Sequence, residues 1–539
     1  MKATVSKERK RKAKRRQKLA GRELLNGRHR TQRPAVAIFA AVLTWAVALI
    51  GLPMLVPPPP ALATIIRPDF LSNALLGLAA FAATGIFLLI FRPALFLRNS
   101  RVILLCIIST FGALCSSVLL QSGTHLGGAF SQALPLLLPT VLAPLLAALL
   151  LGAHAAVAIG TLSAAMMAIY AERSLAIMTN GTLATILIAY LAPRVRTRSK
   201  AVKVCLYAGI IQVPLCAMLA FQSATQPFRL DIFAMQLSTC VLAALLFALL
   251  ALVVLPLLEH VFNITTNISL LEFSDLGHPL LQRLALEAPG TYHHSLVVAN
   301  IAQAAAEAIG ANSLEARVSA YFHDIGKLTK PTFFAENIFS QPNPHDQLSP
   351  NMSTLIITSH VKEGLSMAQL YKLPDCVHRA IQEHHGSSIL QCFHHKALTA
   401  QQEFELLDGS TRRLDDGQFR YPGPKPSTRV SAIICLADAV EAASRSIAKP
   451  SPTNLEDLVN DIVQRRFEDG QLDDCEISLL ELSKVKRAFV FTLANMLHGR
   501  VAYPDSHENK NTKPSDIGLH QSDRAADADE NLDATCASA

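Results

Sequence analysis

Charged side chains are scarce: they make up 17% of the 539 residues, while 51% are hydrophobic and the mean hydropathy is +0.31. An ordinary soluble protein carries about 25% charged residues, so a wholly soluble or largely disordered chain is excluded. Ordered cysteine spacing is missing as well. None of the ten cysteines forms a CxxC pair, and five of them (Cys106, Cys115, Cys205, Cys216 and Cys240) lie in apolar runs, where they act as small hydrophobes. That argues against a disulfide framework or a zinc knuckle. Period-two alternation is rare and no internal repeat is evident, which leaves helix as the main building element.

Long apolar runs, by contrast, fill the first half. A spanning helix needs about 20 mostly apolar residues. Eight candidates lie at 35–56, 72–91, 102–120, 133–151, 153–170, 176–193, 203–221 and 233–256, the fourth and fifth parted only at Gly152-Ala153-His154. Residues 1–33 hold 14 Lys and Arg against Glu8 and Glu23, a net +12, and the rest of the chain stands at −4. Beside an apolar run, such an arm reads as a cytoplasmic topology signal near anionic lipid rather than as a nucleic-acid arm. Arg92, Arg98 and Arg101 share the arm's side in either count. The Arg194–Lys203 cluster joins them only with eight spans, which leaves the uncharged Gln121–Gln132 loop outside and both termini inside. The first span exceeds the roughly 7–15 residues of a signal-peptide core, so it reads as an uncleaved anchor despite Ala61-Leu62-Ala63. Charges within the spans are few, so anchoring and oligomerisation are expected of them rather than ion transport.

From about Glu259 the composition turns globular, and helical periodicity recurs at 294–309, 313–325, 352–371, 375–385, 427–446, 453–468 and 477–499. Thr453-Asn454-Leu455-Glu456 fits a capping box, and Gly386 and Gly470 stand where helices should stop. The expected organisation is a basic cytoplasmic arm (1–33), a transmembrane domain (34–258), an all-α cytoplasmic domain (259–504) and a polar tail (505–539) too poor in large apolar residues to fold.

Ten of the 18 histidines fall between His293 and His395, where an even scatter would put far fewer. Neutral imidazole is the commonest metal ligand. Taken together, His294, His323-Asp324, His360, His384-His385 and Asp438 stand on successive predicted helices. Nitrogen and carboxylate donors without thiolate suit iron or manganese better than a structural zinc. Seven such groups suffice for two ions if one carboxylate bridges, and paired ions can clamp the attacking and leaving oxygens of a phosphoryl displacement.

The order of the wider phrases is more specific than the HD dipeptide: "LEAPGTYHHSLVV" and "FHDIGK", then "NPHDQLSP", "SHVKEG", "QEHHG", "FRYPGPKPST" and "LADAVEAASRS". Over about 240 residues (260–503) this resembles the seven-transmembrane HD family, the PgpH-type cyclic-di-AMP phosphodiesterases of bacterial membranes. The resemblance implies an HD-type hydrolase that cleaves cyclic di-AMP to linear pApA with two divalent transition metals, Fe or Mn. It also implies a multi-pass inner-membrane protein whose HD domain faces the cytoplasm. His294, rather than His293, would join His323, Asp324 and Asp438 around one metal. Asp324 would bridge to a second, held by His360, His384 and His385. Lys327 would neutralise a phosphate, and Tyr421 and Gly423 of Tyr421-Pro422-Gly423-Pro424 would help form the nucleotide pocket. His345, His378, His394 and His395 are expected to be non-ligands.

Two departures stand out. Related cyclic-di-GMP enzymes carry Gly-Tyr-Pro after the paired histidines, whereas Gly386-Ser387-Ser388 stands here. The large external domain common between the first two spans is replaced by about 15 residues, 57–71. The alternatives are another HD nucleotide phosphohydrolase, acting on guanosine tetraphosphate, a dNTP or RNA ends, or a non-catalytic nucleotide-binding membrane receptor. The expected partners are a cyclic dinucleotide, the bilayer and further copies of the chain, with no nucleic-acid polymer.

Overall fold

A computed structural model describes residues 68–126, 141–170, 175–214, 217, 230–338, 342–408, 414–447 and 451–498. The basic arm, the first span, the Pro57–Pro60 segment and the tail from 505 lie outside the described residues. Among the described residues there is no strand, only an isolated antiparallel bridge between Ile389 and Arg420. The chain divides into two compact units, Met1–Ile268 and Ser269–Ala539.

The first unit contains α1 (Pro68–Phe91), α2 (Asn99–Leu126), α3 (Leu142–Leu151), α4 (Ala153–Tyr170), α5 (Leu175–Leu191), α6 (Arg198–Ile210) and α7 (Leu230–Phe262). By length and composition, two described segments suffice to cross a bilayer, Leu175–Arg194 and Leu230–Phe262, and shorter apolar helices flank them. α3 and α4 part at Gly152, whose φ of 98° suits glycine. The interior mixes small and large apolar residues: Ala147, Ala155, Ala156, Ala184 and Ala208 are fully buried beside Leu104, Leu145 and Ile188. A Cβ on Gly160 of α4 would stand 2.3 Å from the Thr185 side chain of α5, so only glycine lets the two helices approach this closely. Other large apolar residues face outward, among them Ile90, Leu242, Leu249 and Val253. In water that surface would be a liability; against lipid tails it costs nothing.

The second unit begins within α8 (Asn267–Phe273) and contains α9 (Pro279–Glu287), α10 (Pro289–Ala308), α11 (Ser313–Phe322), α12 (Pro350–Leu370), α13 (Asp375–Glu383), α14 (Gln391–Asp408), α15 (Arg429–Ser444), α16 (Pro452–Glu468) and α17 (Leu479–His498). Its core is aliphatic and aromatic, with Val298, Phe322, Ile381, Ile433 and Phe489 buried at the centre. α15 is its axle, buried along most of its length, and starts from a capping box between Thr428 and Ser431.

Sequence periodicity locates seven of these helices to within a few residues and misses α9 and α14. The capping box expected at Thr453 is replaced by Ser451, whose hydroxyl accepts from Asn454 N, because Pro452 takes the first helical position and moves the start two residues earlier. Gly386 and Gly470 do terminate their helices, with φ of 56° and 66°.

Candidate metal centre

α11 and α13 both end at the centre of the second unit, and there the chain turns so that consecutive residues present side chains inward. His323 is the C-cap of α11 and Asp324 follows it; His384 is the C-cap of α13 and His385 follows it. α10 contributes His294, α12 His360 and α15 Asp438. Gly326 makes this convergence possible, since a Cβ there would lie 1.9 Å from the carbonyl oxygen of His360.

Their donor atoms form two groups: His294, His323, Asp324 and Asp438, and Asp324, His360, His384 and His385, with the atoms of each group within 4.8 Å of one another. Asp324 belongs to both. Its Oδ2 lies 3.3 Å from His323 Nε2 and 3.6 Å from His294 Nε2, and its Oδ1 lies 3.5 Å from the Nε2 atoms of both His360 and His384. His385 Nδ1 is 3.4 Å from Asp438 Oδ2.

The backbone fixes which ring nitrogen each imidazole offers. Nδ1 of His323 donates to Ala320 O (2.7 Å), that of His360 to Ile357 O (2.6 Å), and that of His384 to Ile381 O (2.9 Å). A carbonyl only accepts, so Nδ1 holds the proton and Nε2 turns its lone pair inward. For His294 the same part is played by a carboxylate, Glu441 Oε2 at 2.5 Å, itself held by Arg445. At the centre, His323 Nε2 and Asp324 Oδ1 are buried with no hydrogen-bond partner. Buried polar groups are normally satisfied. Lone pairs of imidazole and carboxylate converging without donors fit a divalent cation.

Electrostatics agree. Burial brings His360 down to about 4 and holds His385 well below its ordinary value, so both are neutral. For His294, burial is outweighed by Asp438 and Glu441, and for His323 by Asp324 and Asp438, which push them up to about 9 and about 10. A cation binding these two imidazoles must therefore displace protons from them. Asp324 and Asp438 are held well below the carboxylate range despite burial, by Lys327 and His323 and by His294 and His323 respectively.

Lys327 reaches the same centre, its Nζ 2.9 Å from Asp324 Oδ2 and 2.8 Å from Glu336 Oε1. Tyr421 is buried with its ring stacked on His385, centroids 4.1 Å apart, and Gly423 follows with a φ of 73° before the cis Gly423–Pro424 bond. His293 is exposed. The rings of His345, His378 and His394 bond elsewhere, to Phe333 O, Pro374 O and Asp416. His395 is exposed on α14. Sequence reasoning overlooked Glu441, although its spacing of three from Asp438 on one helix was a usable signal. It also overlooked Glu336 and Asn337, which no motif marks.

Residues 69–266 match the family model described as a 7TM receptor with intracellular HD hydrolase, and residues 291–443 match the HD domain. The chain is 39% identical over 309 residues to the cyclic-di-AMP phosphodiesterase PgpH of Bacillus subtilis, covering 57% of this chain and 42% of that protein. It is 39% identical over 255 residues to PgpH of Listeria monocytogenes, covering 47% of this chain and 34% of that one. It thus spans well under half the length of the curated relatives it matches. A crystal structure of the Listeria PgpH HD domain in complex with cyclic-di-AMP is 38% identical, covers 41% of this chain and 99% of that chain, and superposes with a TM-score of 0.38.

Proposed function

Given that the chain belongs to the family of seven-helix membrane receptors with an intracellular HD hydrolase, we propose that it hydrolyses cyclic di-AMP to linear pApA. The observation that carries this reading is the shared carboxylate: Asp324 stands between two separate sets of three inward-facing donors. In this reading His294, His323 and Asp438 complete one divalent site and His360, His384 and His385 the other, with Fe or Mn preferred by the donor set. Divalent ions bound there would supply activation of water and stabilisation of charge at phosphorus. The backbone-bonded Nδ1–H groups keep the donor imidazoles aimed without reorganisation. Lys327, which Asp324 and Glu336 keep charged against the effect of burial, adds fixed positive charge at the centre. Tyr421, stacked on His385, offers an aromatic wall suited to a purine base.

The domain limits at 33/34, 258/259 and 504/505, the eight spans, the inward termini and the cytoplasmic HD domain belong to the same proposal. The spans and their orientation rest on the apolar runs and the distribution of basic loops, and the limits at 258/259 and 504/505 on the changes of composition there. Association of copies through the spans completes it.

The test is chromatography after incubating Mn²⁺- or Fe²⁺-loaded protein with cyclic di-AMP, cyclic di-GMP and guanosine tetraphosphate separately. Conversion of cyclic di-AMP to pApA in preference to the others is expected. Tight binding with no turnover would replace the reading with that of a receptor.

A further inference from the structure

We propose that Glu336 is a positioning residue: by sharing the Lys327 ammonium with Asp324, it keeps Asp324 free to hold a cation. The inference rests on the metal reading above, and not on the identity of the substrate.

Lys327 is buried between two anions, Asp324 Oδ2 at 2.9 Å and Glu336 Oε1 at 2.8 Å, with its Nζ 4.9 Å from the centre of the Phe334 ring. One ammonium therefore serves two carboxylates at almost equal distance. Glu336 is anchored. Thr291 Oγ1 donates to the same Oε1 at 2.8 Å, and Asn337 Nδ2 donates to Thr291 Oγ1 at 2.8 Å, so the hydroxyl is oriented from both sides. Asn337 Oδ1 accepts from Gly290 N and Thr291 N, capping α10 from 46 or 47 residues away. Gly290 permits the contact, since a Cβ there would lie 1.8 Å from Glu336 O. The short 3₁₀ turn Ala335–Asn337 is thus fastened to the start of the helix that carries His294.

An ammonium held against Asp324 Oδ2 opposes any cation seeking that oxygen, and the opposition grows as the ammonium comes closer. Glu336 draws it away. With that charge removed, Lys327 is left with Asp324 as its one close anionic partner and settles on it. The effect of Glu336 on cation binding is therefore exerted through Lys327 and should vanish when Lys327 has no charge. Direct attraction of the cation by Glu336, or a purely structural role through Thr291, would instead persist.

This distinction is read by a double-mutant cycle. Mn²⁺ binding to the full-length protein in detergent is measured by calorimetry for wild type, Glu336→Gln, Lys327→Met and the double variant. Glu336→Gln should weaken Mn²⁺ binding about tenfold, the scale of losing an outer partner of a metal ligand. Lys327→Met should tighten binding. In the Lys327→Met background, Glu336→Gln should cost less than about twofold, a departure from additivity expected of groups in one network. Glu336→Asp, which keeps the charge but retracts it, should give a smaller loss that also disappears with Lys327→Met, and it serves if the Gln variant does not fold. Equal weakening in both backgrounds, or no weakening in the first, overturns the proposal. Hydrolysis by the wild type, assayed separately, reports on the functional reading alone; its failure leaves the cycle interpretable.

Discussion

On α7 of the first unit, Leu242, Leu249 and Val253 point outward while Ala243, Ala244 and Ala248 are buried; on α15 of the second, Ile433, Ile434 and Val440 are buried beside a carboxylate, Asp438. The first helix turns a row of large apolar residues outward while burying small residues beside Phe247 and Leu255, and its unit brings helices together by close approach at positions such as Gly160. The second places large apolar residues inside and tolerates a knot of charge at their centre. The difference follows from solvent. Where lipid surrounds the helices, burying a leucine gains little, and tight packing of small residues is what associates them. Where water surrounds them, aliphatic burial drives folding. The stability so obtained is what allows seven imidazole and carboxylate groups to be held together. Such polar burial is costly unless something compensates it, and a cation would.

The contrast can be broken most severely at its polar centre. Asp324→Ala should abolish turnover and lower bound metal, measured by elemental analysis, while His394→Ala should change neither; similar losses in both would refute the assignment. Separating the units comes next. A fragment from Asn263 to Tyr503 should fold as a helical, metal-binding domain and hydrolyse cyclic di-AMP, as circular dichroism, elemental analysis and chromatography would show. A metallated, folded fragment without activity, beside an active full-length protein, would mean the membrane unit completes the site.

Smaller effects sharpen the difference in packing. Ala248→Leu in the first unit should cost about 1–3 kcal/mol through overpacking, whereas Leu249→Ala on its outward face should change the unfolding midpoint in detergent very little. The polar centre also makes the stability of the chelated domain depend on pH. His360, lowered by burial to about 4 from an ordinary 6.5, binds a proton on unfolding between those values, so stability should rise with pH across that window. His294 and His323, raised to about 9 and about 10, release theirs on unfolding, so stability should fall as pH climbs from 6.5 through those values. Thermal midpoints should therefore peak near pH 6.5, and added Mn²⁺, by displacing the two protons, should flatten the alkaline side. A chelated domain with no alkaline decline would contradict this.

How much was legible beforehand differs along the same division. Histidine density and the paired residues at 323–324 and 384–385 pointed to the centre, because groups that converge at helix ends leave adjacent letters in the sequence. His294 and His293 could be separated only by resemblance; the fold separates them by facing one into the core and one into solvent. Glu336, Asn337 and the capping of α10 were not legible, since they depend on contacts between residues some 46 positions apart. α14 escaped because its sequence, rich in His and Gln, lacks a continuous apolar stripe. In the first unit, apolar runs marked helices readily, but which face is buried was hidden, as every face is apolar.

The measurement that tests the account most directly is anomalous diffraction from crystals of the metal-loaded second unit. Two peaks are predicted, one between Asp324 and His294, His323 and Asp438, the other between Asp324 and His360, His384 and His385. A single peak, or two that do not share Asp324, would contradict the claim that this carboxylate joins two metal sites into one centre.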